Sequence, residues 1–213
     1  MQTDPIMLTT KTVSEFLDEV ASNSPAPGGG SVSALAGALG AALTSMVCRL
    51  TIGKKKYLDV QPELEAILKR SEELRARLAS VIEDDTEAFK AVMTAFGMPK
   101  ETEEQKVVRN QAIQEATKAA TRVPMKLMEL CEEGAGLAQT VAEKGNRNSL
   151  SDAGVSLLLM QAAAHGASLN VRINLTGLED QQFRDEAHDK VVNVIGRIDG
   201  MMAEYMPNLI ARL

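Results

Sequence analysis

The stretch Ser24–Tyr57, SPAPGGGSVSALAGALGAALTSMVCRLTIGKKKY, decides how the rest of the chain is organised. It opens with two prolines and three consecutive glycines, which regular helices and strands do not tolerate. Ser31 follows as a good N-cap, so the sequence predicts a loop up to Gly30 and a helix from Ser31 onward. No charged residue occurs from Val32 to Cys48, and a basic cluster, Lys54–Lys56, lies beyond the helix.

The glycine run allows two interpretations. In the first, Gly28, Gly29, Gly30 and Ser31 bind an anionic ligand, because glycines let the backbone approach closely and the N–H groups of a helix start attract negative charge. In the second, the run only connects two packed helices. The run lacks the lysine and hydroxyl spacing of a phosphate-binding P-loop, and no strand precedes it as in a dinucleotide-binding motif.

The charge-free helix reaches the lower length limit of a membrane span. Much of it is Ala, Gly, Ser and Thr, and no Trp or Tyr precedes it. We therefore interpret it as the central helix of a soluble bundle and expect no membrane partner. Ala36, Gly37, Gly40 and Ala41 would let neighbouring helices approach it closely.

The composition indicates a single domain over residues 1–213 with an all-α fold. Apolar residues make up 45% of the chain, but only 3% of residues are aromatic, there is no Trp, and 11 Met help to fill the interior. That composition is typical of packed helices. A net charge of −6 argues against a nucleic-acid partner. The polar start Met1–Thr10 shows no targeting signal, which predicts a cytoplasmic protein.

The cysteine and histidine patterns predict no metal site. Cys48 and Cys131 lack metal or redox spacing and are expected to be buried thiols in a reducing compartment. His165 and His188 form no H-x-x-x-H pattern. We expect His188 at the surface, and His165 packed or solvated rather than catalytic.

Apolar periodicity predicts five further helices, which complete a multi-helix up-and-down bundle. Pro62 suits a first helical turn, and Thr102 with Gln105 forms a capping box. Pro124 is expected to kink or restart its helix, and Gly145 to follow its end. The predicted ranges are 13–22, 62–96, 102–143, 149–175 and 180–205.

Asp85 interrupts the apolar stripe of the helix predicted over 62–96. It lies four residues from both Val81 and Phe89, so its carboxylate is predicted to face the core. A buried carboxylate is costly unless it is paired or used. Either a neighbouring helix supplies a Lys or Arg that forms a salt bridge with it, or Asp85 is a functional group whose pKa is raised by burial.

A polar turn, GNRNSLSD, precedes the helix predicted over 149–175. Ser149 and Asp152 fit a capping pattern, although Asp152 could also serve a ligand. Asn170 and Asn174 share an alanine-lined face of this helix. They form interhelical hydrogen bonds, or they bind a heterocycle or a carboxylate.

Six segments of the chain are distinctive: SPAPGGGSVSALAGALGAAL, LTIGKKKY, DDTEAF, PKETEEQK, GNRNSLSDAG and LNVRINL. Together they resemble the cyclodeaminase/cyclohydrolase family that acts on tetrahydrofolates. The resemblance runs from about Val13 to Gly177 and implies an all-α bundle that dimerises, with the folate site near the subunit interface. The charge-free helix suits the buried seam of a homodimer.

The resemblance implies one of two reactions on a tetrahydrofolate substrate, neither of which needs a metal or a redox cofactor. A cyclohydrolase opens the N5–C–N10 bridge of 5,10-methenyltetrahydrofolate with water and gives 10-formyltetrahydrofolate. A cyclodeaminase closes N10 onto the formimino carbon of 5-formiminotetrahydrofolate and releases ammonia. The LTIGKKKY version of the motif, without a formiminotransferase half, favours the cyclohydrolase.

The motif match also implies roles for residues. Asp85 and Lys54 are the expected catalytic residues: Asp85 transfers protons, while Lys54 or Lys55 binds glutamate carboxylates or polarises the reacting oxygen. A different class of function, a non-catalytic folate-binding or dimeric scaffold, predicts binding without turnover and a purely structural ion pair at Asp85. The expected substrate-binding residues are Gly28, Gly29, Gly30, Ser31, Lys55, Tyr57, Asp152, Asn170 and Asn174.

Overall fold

A computed structural model describes residues 7–213. Within this range the chain forms six α-helices and three short 3-10 segments and no β-strand, which confirms the all-α prediction. Part of the polar start Met1–Thr10, predicted to carry no targeting signal, lies outside the described residues. The helices are α1 (Val13–Val20), α2 (Gly29–Arg49), α3 (Gln61–Phe96), α4 (Glu103–Lys144), α5 (Leu150–Leu175) and α6 (Gln181–Ile210).

Five long helices, α2 to α6, enclose one core. α2 packs against α3 and α5, α4 packs against the same two helices, and α6 covers α4 and α5. Short connections join consecutive long helices, as expected for the predicted bundle. The core is aliphatic, and its largest fully buried side chains include Leu64, Leu74, Leu78, Leu127, Met128, Leu157 and Met160.

Small residues let α2 pack closely within the bundle. A Cβ atom on Gly37 would lie 3.1 Å from Cδ2 of Leu78, and one on Gly40 would lie 3.2 Å from the carbonyl oxygen of Ser156. α2 is long and apolar enough to cross a membrane by length and composition alone. However, 61% of its apolar window is buried inside the protein, as in a core helix.

The start of α2 differs from the prediction. Gly28 is the N-cap and the helix begins at Gly29, so two of the three glycines lie in the first turn and Ser31 does not cap the helix. The Ser31 hydroxyl instead bonds to groups of α3. Packing against α3 therefore sets this helix end, whereas glycine content alone favours a loop.

Other helix boundaries also move. α4 continues through the buried Pro124 as one helix, because packing on both sides of the proline outweighs one lost backbone hydrogen bond. α6 extends past Tyr205 to Ile210, because Leu209 is buried in the core. Ser149 is the N-cap residue of α5, but its side chain makes no capping hydrogen bond.

Candidate active site

A cavity of about 410 Å³ opens where the start of α2 meets α3 and α5. It collects six of the predicted site residues from three separate parts of the chain. Apolar side chains complete the walls, chiefly from the end of α3. The predicted residues that line it are Gly28, Gly29, Gly30, Asp85, Asn170 and Asn174, and the apolar ones include Ala88, Phe89, Val92, Met93, Phe96 and Ile173.

Asp85 lines this cavity and is half-buried. Its Oδ2 accepts a hydrogen bond from the Ser31 hydroxyl at 3.0 Å. Among residues 7–213, no Lys, Arg or His pairs with it, whereas the neighbouring Asp84 pairs with Lys126 at 3.4 Å. The salt-bridge interpretation of Asp85 therefore finds no partner in the described chain.

Burial raises the pKa of the Asp85 carboxyl above its ordinary value, while the hydroxyl and backbone N–H of Ser31 act in the opposite direction. Burial dominates because the uncharged acid loses less solvation than the carboxylate does. A carboxyl in this state exchanges protons closer to neutral pH than a solvated Asp. It is chemically suited to general acid–base work.

Gly30 has no side chain because Asp85 lies against the backbone of α2. A Cβ atom on Gly30 would lie 2.0 Å from Oδ1 and 2.5 Å from Cγ of Asp85. At Gly29 the nearest atom would be Nδ2 of Asn170 at 3.7 Å, an ordinary contact. The glycine at position 30 thus permits a carboxylate to touch the first turn of a helix, where N–H groups favour negative charge.

Asn170 and Asn174 face the same cavity from α5. Asn170 donates through Nδ2 to the carbonyl of Gly166 on its own helix at 2.9 Å. In the described part of the chain, the Asn174 side chain makes no hydrogen bond, and neither amide bonds to another helix. Both amides therefore keep hydrogen-bonding groups available at the cavity, as the ligand-binding prediction requires and the interhelical prediction does not.

Lys54, Lys55, Tyr57 and Asp152 lie at the other end of the molecule. They follow the carboxy-terminal end of α2 or belong to the first turn of α5, and α2 alone separates the two ends by about 30 Å. The structure does not bring them to the cavity within one chain. Tyr57 instead accepts a hydrogen bond from the backbone N–H of Arg147 at 3.1 Å.

Comparison with known proteins shows to which family the chain belongs. Residues 12–193 match the family described as formiminotransferase-cyclodeaminase. The chain belongs to this family. It is 48% identical to a methenyltetrahydrofolate cyclohydrolase of Methylorubrum extorquens, over 93% of this chain and 92% of that protein.

Two other relatives carry the cyclodeaminase name. Formimidoyltransferase-cyclodeaminase of Mus musculus is 34% identical over 92% of this chain, which spans only 36% of that protein. The crystal structure of a formiminotetrahydrofolate cyclodeaminase from Thermotoga maritima superposes with a TM-score of 0.82 at 34% identity. The match covers 92% of this chain and 93% of that one. This chain therefore shares its fold with that solved structure.

Sequence reasoning missed several features of this family member's cavity. Phe89, Val92 and Phe96 continue the apolar stripe of α3 that predicts a core-facing surface, but Phe96 is 48% exposed and all three line the cavity. They follow Asp85 at helical spacing on the same face, which is the signal that could have identified them. Ser31 is fully buried and contacts Asp85 rather than the open cavity. Its predicted role as a direct substrate contact is not supported by this position.

The remaining titratable candidates lie elsewhere in the molecule. Nε2 of His165 lies 2.8 Å from Oδ1 of Asp199, in a partly exposed pair between α5 and α6. Cys48 and Cys131 are buried free thiols, as predicted, and burial raises the pKa of Cys131 to about 12. In residues 7–213 no three His, Cys, Asp or Glu side chains come together as metal ligands would.

Proposed function

We propose that this protein is a methenyltetrahydrofolate cyclohydrolase that hydrolyses 5,10-methenyltetrahydrofolate to 10-formyltetrahydrofolate in one-carbon metabolism. The observation that carries the proposal is the 48% identity to a protein of that name over nearly the full length of both chains. A cavity with one carboxylate, lined by glycines and amides, supports it chemically.

In this reaction Asp85 is the proton-transfer group. A water oxygen attacks the carbon between N5 and N10 while the Asp85 carboxylate takes one proton of that water, leaving a neutral carbinol. Asp85 returns the proton to N5 as the C–N5 bond breaks and its electron pair stays on N5. The carbinol O–H proton then leaves to solvent as the formyl C=O forms. The balance is substrate cation plus water to formyl product plus one proton.

The walls of the cavity suit the flat rings of a folate. Phe89, Met93 and Ile173 supply apolar surface against which a ring can pack. Asn170 and Asn174 supply both donors and acceptors for the polar edge of a pterin. We assign ring binding to this cavity and extend the glutamate end of the substrate beyond it.

A homodimer would bring the remaining predicted residues to this cavity. α2 and α5 expose apolar side chains at helical spacing, each between 40% and 66% exposed, although α2 has no charge before Arg49. If a two-fold axis crosses α2 near its middle, two copies run antiparallel and the end of one lies over the start of the other. The exposed side chains are Val32 and Leu39 of α2, Leu50 directly after its end, and Val155, Leu158, Leu169 and Ile173 of α5.

In this dimer, the turn that carries Lys54, Lys55 and Tyr57, together with Asp152, approaches the cavity of the second copy. Lys54 and Lys55 would then bind glutamate carboxylates, or Lys54 would polarise the reacting oxygen. Lys54 and Lys55 are exposed, and neither forms a salt bridge with another of the residues 7–213. The folate site is proposed to be composite, with Asp85 from one subunit and the basic turn from the other.

The reaction as written consumes only substrate and water, so we propose that the protein works without a resident metal or redox cofactor. We place it in the cytoplasm. The two buried thiols, Cys48 and Cys131, are in keeping with a reducing compartment.

A cyclodeaminase activity is the second candidate. It is favoured by the Thermotoga maritima relative, whose fold matches with a TM-score of 0.82 over 92% of this chain. Both reactions pass through a tetrahedral carbon between N5 and N10, bearing OH or NH2, so one proton-transfer group could serve either. The 48% identity to the cyclohydrolase favours hydrolysis.

The test follows the near-ultraviolet absorbance of 5,10-methenyltetrahydrofolate after addition of the purified protein, against a buffer blank. We expect rapid loss with wild type, and a loss of activity of at least about 100-fold in Asp85→Asn. Asp84→Asn is the matched control, because Asp84 pairs with Lys126 and does not line the cavity. If wild type does not accelerate this loss of absorbance but releases ammonia from 5-formiminotetrahydrofolate, the protein is a cyclodeaminase instead. Binding of folate without turnover of either substrate would instead support the non-catalytic scaffold.

A further inference from the structure

A small group of oxygen atoms lies beneath Asp85 and is not part of the cavity wall. The Ser31 hydroxyl is 3.1 Å from the carbonyl oxygen of Ile82, 3.0 Å from Oδ2 of Asp85 and 3.3 Å from Oγ1 of Thr86. Ser31 is 0% exposed and Thr86 is 8% exposed. Solvent therefore does not satisfy the Ser31 hydroxyl, which depends on these three neighbours.

The hydrogen atoms available can satisfy this group in both protonation states of Asp85. A serine hydroxyl donates one hydrogen bond and accepts up to two, whereas a backbone carbonyl only accepts. When Asp85 is ionised, the Ser31 hydrogen points to Oδ2. When Asp85 is protonated, its own O–H can donate to Oγ of Ser31, and the Ser31 hydrogen turns to the carbonyl of Ile82.

We propose that Ser31 is a positioning residue whose hydroxyl turns between Asp85 and the Ile82 carbonyl, holding the carboxyl in one place in both of its protonation states. The inference rests on the proposed role of Asp85 as the proton-transfer group. Ser31 keeps its own proton throughout, and the transferred proton moves only between water, Asp85 and N5. This replaces the direct substrate contact predicted for Ser31 from sequence.

Uncharged groups surround the carboxyl from each packed element. They come from the first turn of α2 and from Asn170 and Asn174 of α5, with Ala120 of α4 further along the cavity. On α3 itself, Asp84 is paired with Lys126, and Glu83 accepts from Thr9. Ser31, through its hydroxyl and its backbone N–H, is thus the residue that opposes the effect of burial on the pKa of Asp85. Loss of the Ser31 hydroxyl should therefore raise that pKa.

The experiment measures the pH dependence of kcat and of KM in wild type, Ser31→Ala and Ser31→Cys. In Ser31→Ala we expect kcat to fall about 10-fold or more and the acidic limb of the profile to move up by about one pH unit, because an ionised acceptor loses a buried donor. KM should change little, because Ser31 does not line the cavity. Ser31→Cys keeps a weak donor of similar size, so its kcat and its acidic limb should lie between those of wild type and Ser31→Ala.

Ser45→Ala is the matched control, because Ser45 is an equally buried serine of α2 whose hydroxyl bonds to Ser71 at 2.7 Å, far from Asp85. It should leave the pH profile unchanged. A rise in KM alone in Ser31→Ala would restore the substrate contact and overturn the proposal. An unmoved acidic limb in both Ser31 variants would overturn it as well.

A second measurement separates this inference from the proposed function. The Asp85 carboxyl can be titrated directly by carbon-detected NMR in substrate-free protein, in wild type and in whichever Ser31 variants fold. A higher pKa in the variants supports the positioning role even if the substrate assay shows a different reaction. Equal pKa values would reject that role whatever the enzyme's substrate.

Discussion

At the scale of single residues, Gly30 and Asp85 depend on each other. The space that a methyl group would need at position 30 is occupied by the Asp85 carboxylate. Glycine usually weakens a helix by up to about 1 kcal/mol relative to alanine, so alanine here would ordinarily stabilise the first turn of α2. The glycine is therefore explained by the site and not by the helix.

Gly30→Ala should displace the carboxylate from Ser31 and lower kcat/KM by about 100-fold, since a misplacement of about 1 Å costs that much in well-ordered sites. Steady-state kinetics with 5,10-methenyltetrahydrofolate measures this. Gly29→Ala should lose far less, because its new Cβ would meet only Nδ2 of Asn170 at 3.7 Å. Gly136→Ala on α4, where no atom lies within 4 Å, controls for the change itself. Equal losses at positions 29 and 30 would contradict the argument.

Asp85 should also reduce the stability of the fold at neutral pH. Its pKa is raised in the folded protein, so between the unfolded and folded values the folded state binds more protons, and stability falls as pH rises through that window. Asp85→Asn keeps an acceptor for Ser31 and removes the charge. We expect its Tm at pH 7 to equal or exceed that of wild type, with the difference vanishing near pH 3, where both side chains are neutral.

Thermal unfolding followed by circular dichroism at the two pH values measures the effect of Asp85→Asn. Asp84→Asn provides the comparison, since Asp84 pairs with Lys126 at the surface. A Tm at pH 7 clearly below that of wild type would show that the charge of Asp85 stabilises the fold, contrary to this argument.

The sequence allowed Asp85 to be placed but not Ser31. The position of Asp85 follows from local periodicity, because residues four apart on α3 share a face. The role of Ser31 depends on where α2 begins, and that in turn depends on a contact with a residue 54 positions away. Tertiary contacts of this kind leave no signal in a single stretch of sequence.

At the scale of helices and turns, the α4–α5 connection fixes the basic turn. The hydroxyl of the buried Thr51 accepts a hydrogen bond from the backbone N–H of Asn146 at 2.8 Å, and Nδ2 of Asn146 donates to the carbonyl of Leu50 at 3.1 Å. The Tyr57 hydroxyl accepts from Arg147. These bonds hold the two sides of the Lys54–Lys56 turn against the α4–α5 connection.

Gly145 shows how closely these elements pack. It follows the end of α4, as predicted, and its φ of −77° and ψ of −178° are extended rather than left-handed. A Cβ atom would lie 2.4 Å from the carbonyl oxygen of Val141 and 2.9 Å from Cγ1 of Val47. Close packing rather than a left-handed conformation therefore requires glycine here. The position of the glycine was predictable from sequence, whereas its reason was not.

Gly145→Ala should lower the free energy of unfolding by about 1–3 kcal/mol, because the backbone carbonyl of Val141 cannot yield without opening the last turn of α4. Gly177→Ala, after the end of α5, is the control, since no atom lies within 4 Å of its Cβ position. It should change stability by no more than about 0.5 kcal/mol. Urea denaturation of both variants measures this, and equal stabilities would refute the packing argument.

At the scale of the whole molecule, the predicted site residues divide into two groups at opposite ends of α2. This division could have been calculated from the sequence, because a helix of known length fixes the distance between its ends. The exposed apolar faces of α2 and α5 could not, since the same stripe would also suit a buried core. The divided site residues and the exposed apolar faces both support the proposed antiparallel dimer.

Leu39→Glu should break that dimer, because it places a charge in the middle of the exposed apolar face of α2, where Leu39 is 51% exposed. We expect a folded monomer in size-exclusion chromatography with light scattering, and a loss of turnover of at least about 100-fold, although Leu39 does not line the cavity. Val192→Glu, on α6 at the same exposure, should remain dimeric and active. A fully active Leu39→Glu monomer would rule out the composite site.

The distance of about 30 Å that α2 places between Gly28–Gly30 and the Lys54–Lys56 turn has a consequence for how the protein behaves on dilution. In the proposed dimer, each chain contributes two half-sites and completes neither alone, so turnover requires two molecules. Once the protein is dilute enough to dissociate, the rate should follow the square of its concentration and not the concentration itself. A cell that makes twice as much of this chain near that threshold would gain more than twice the flux.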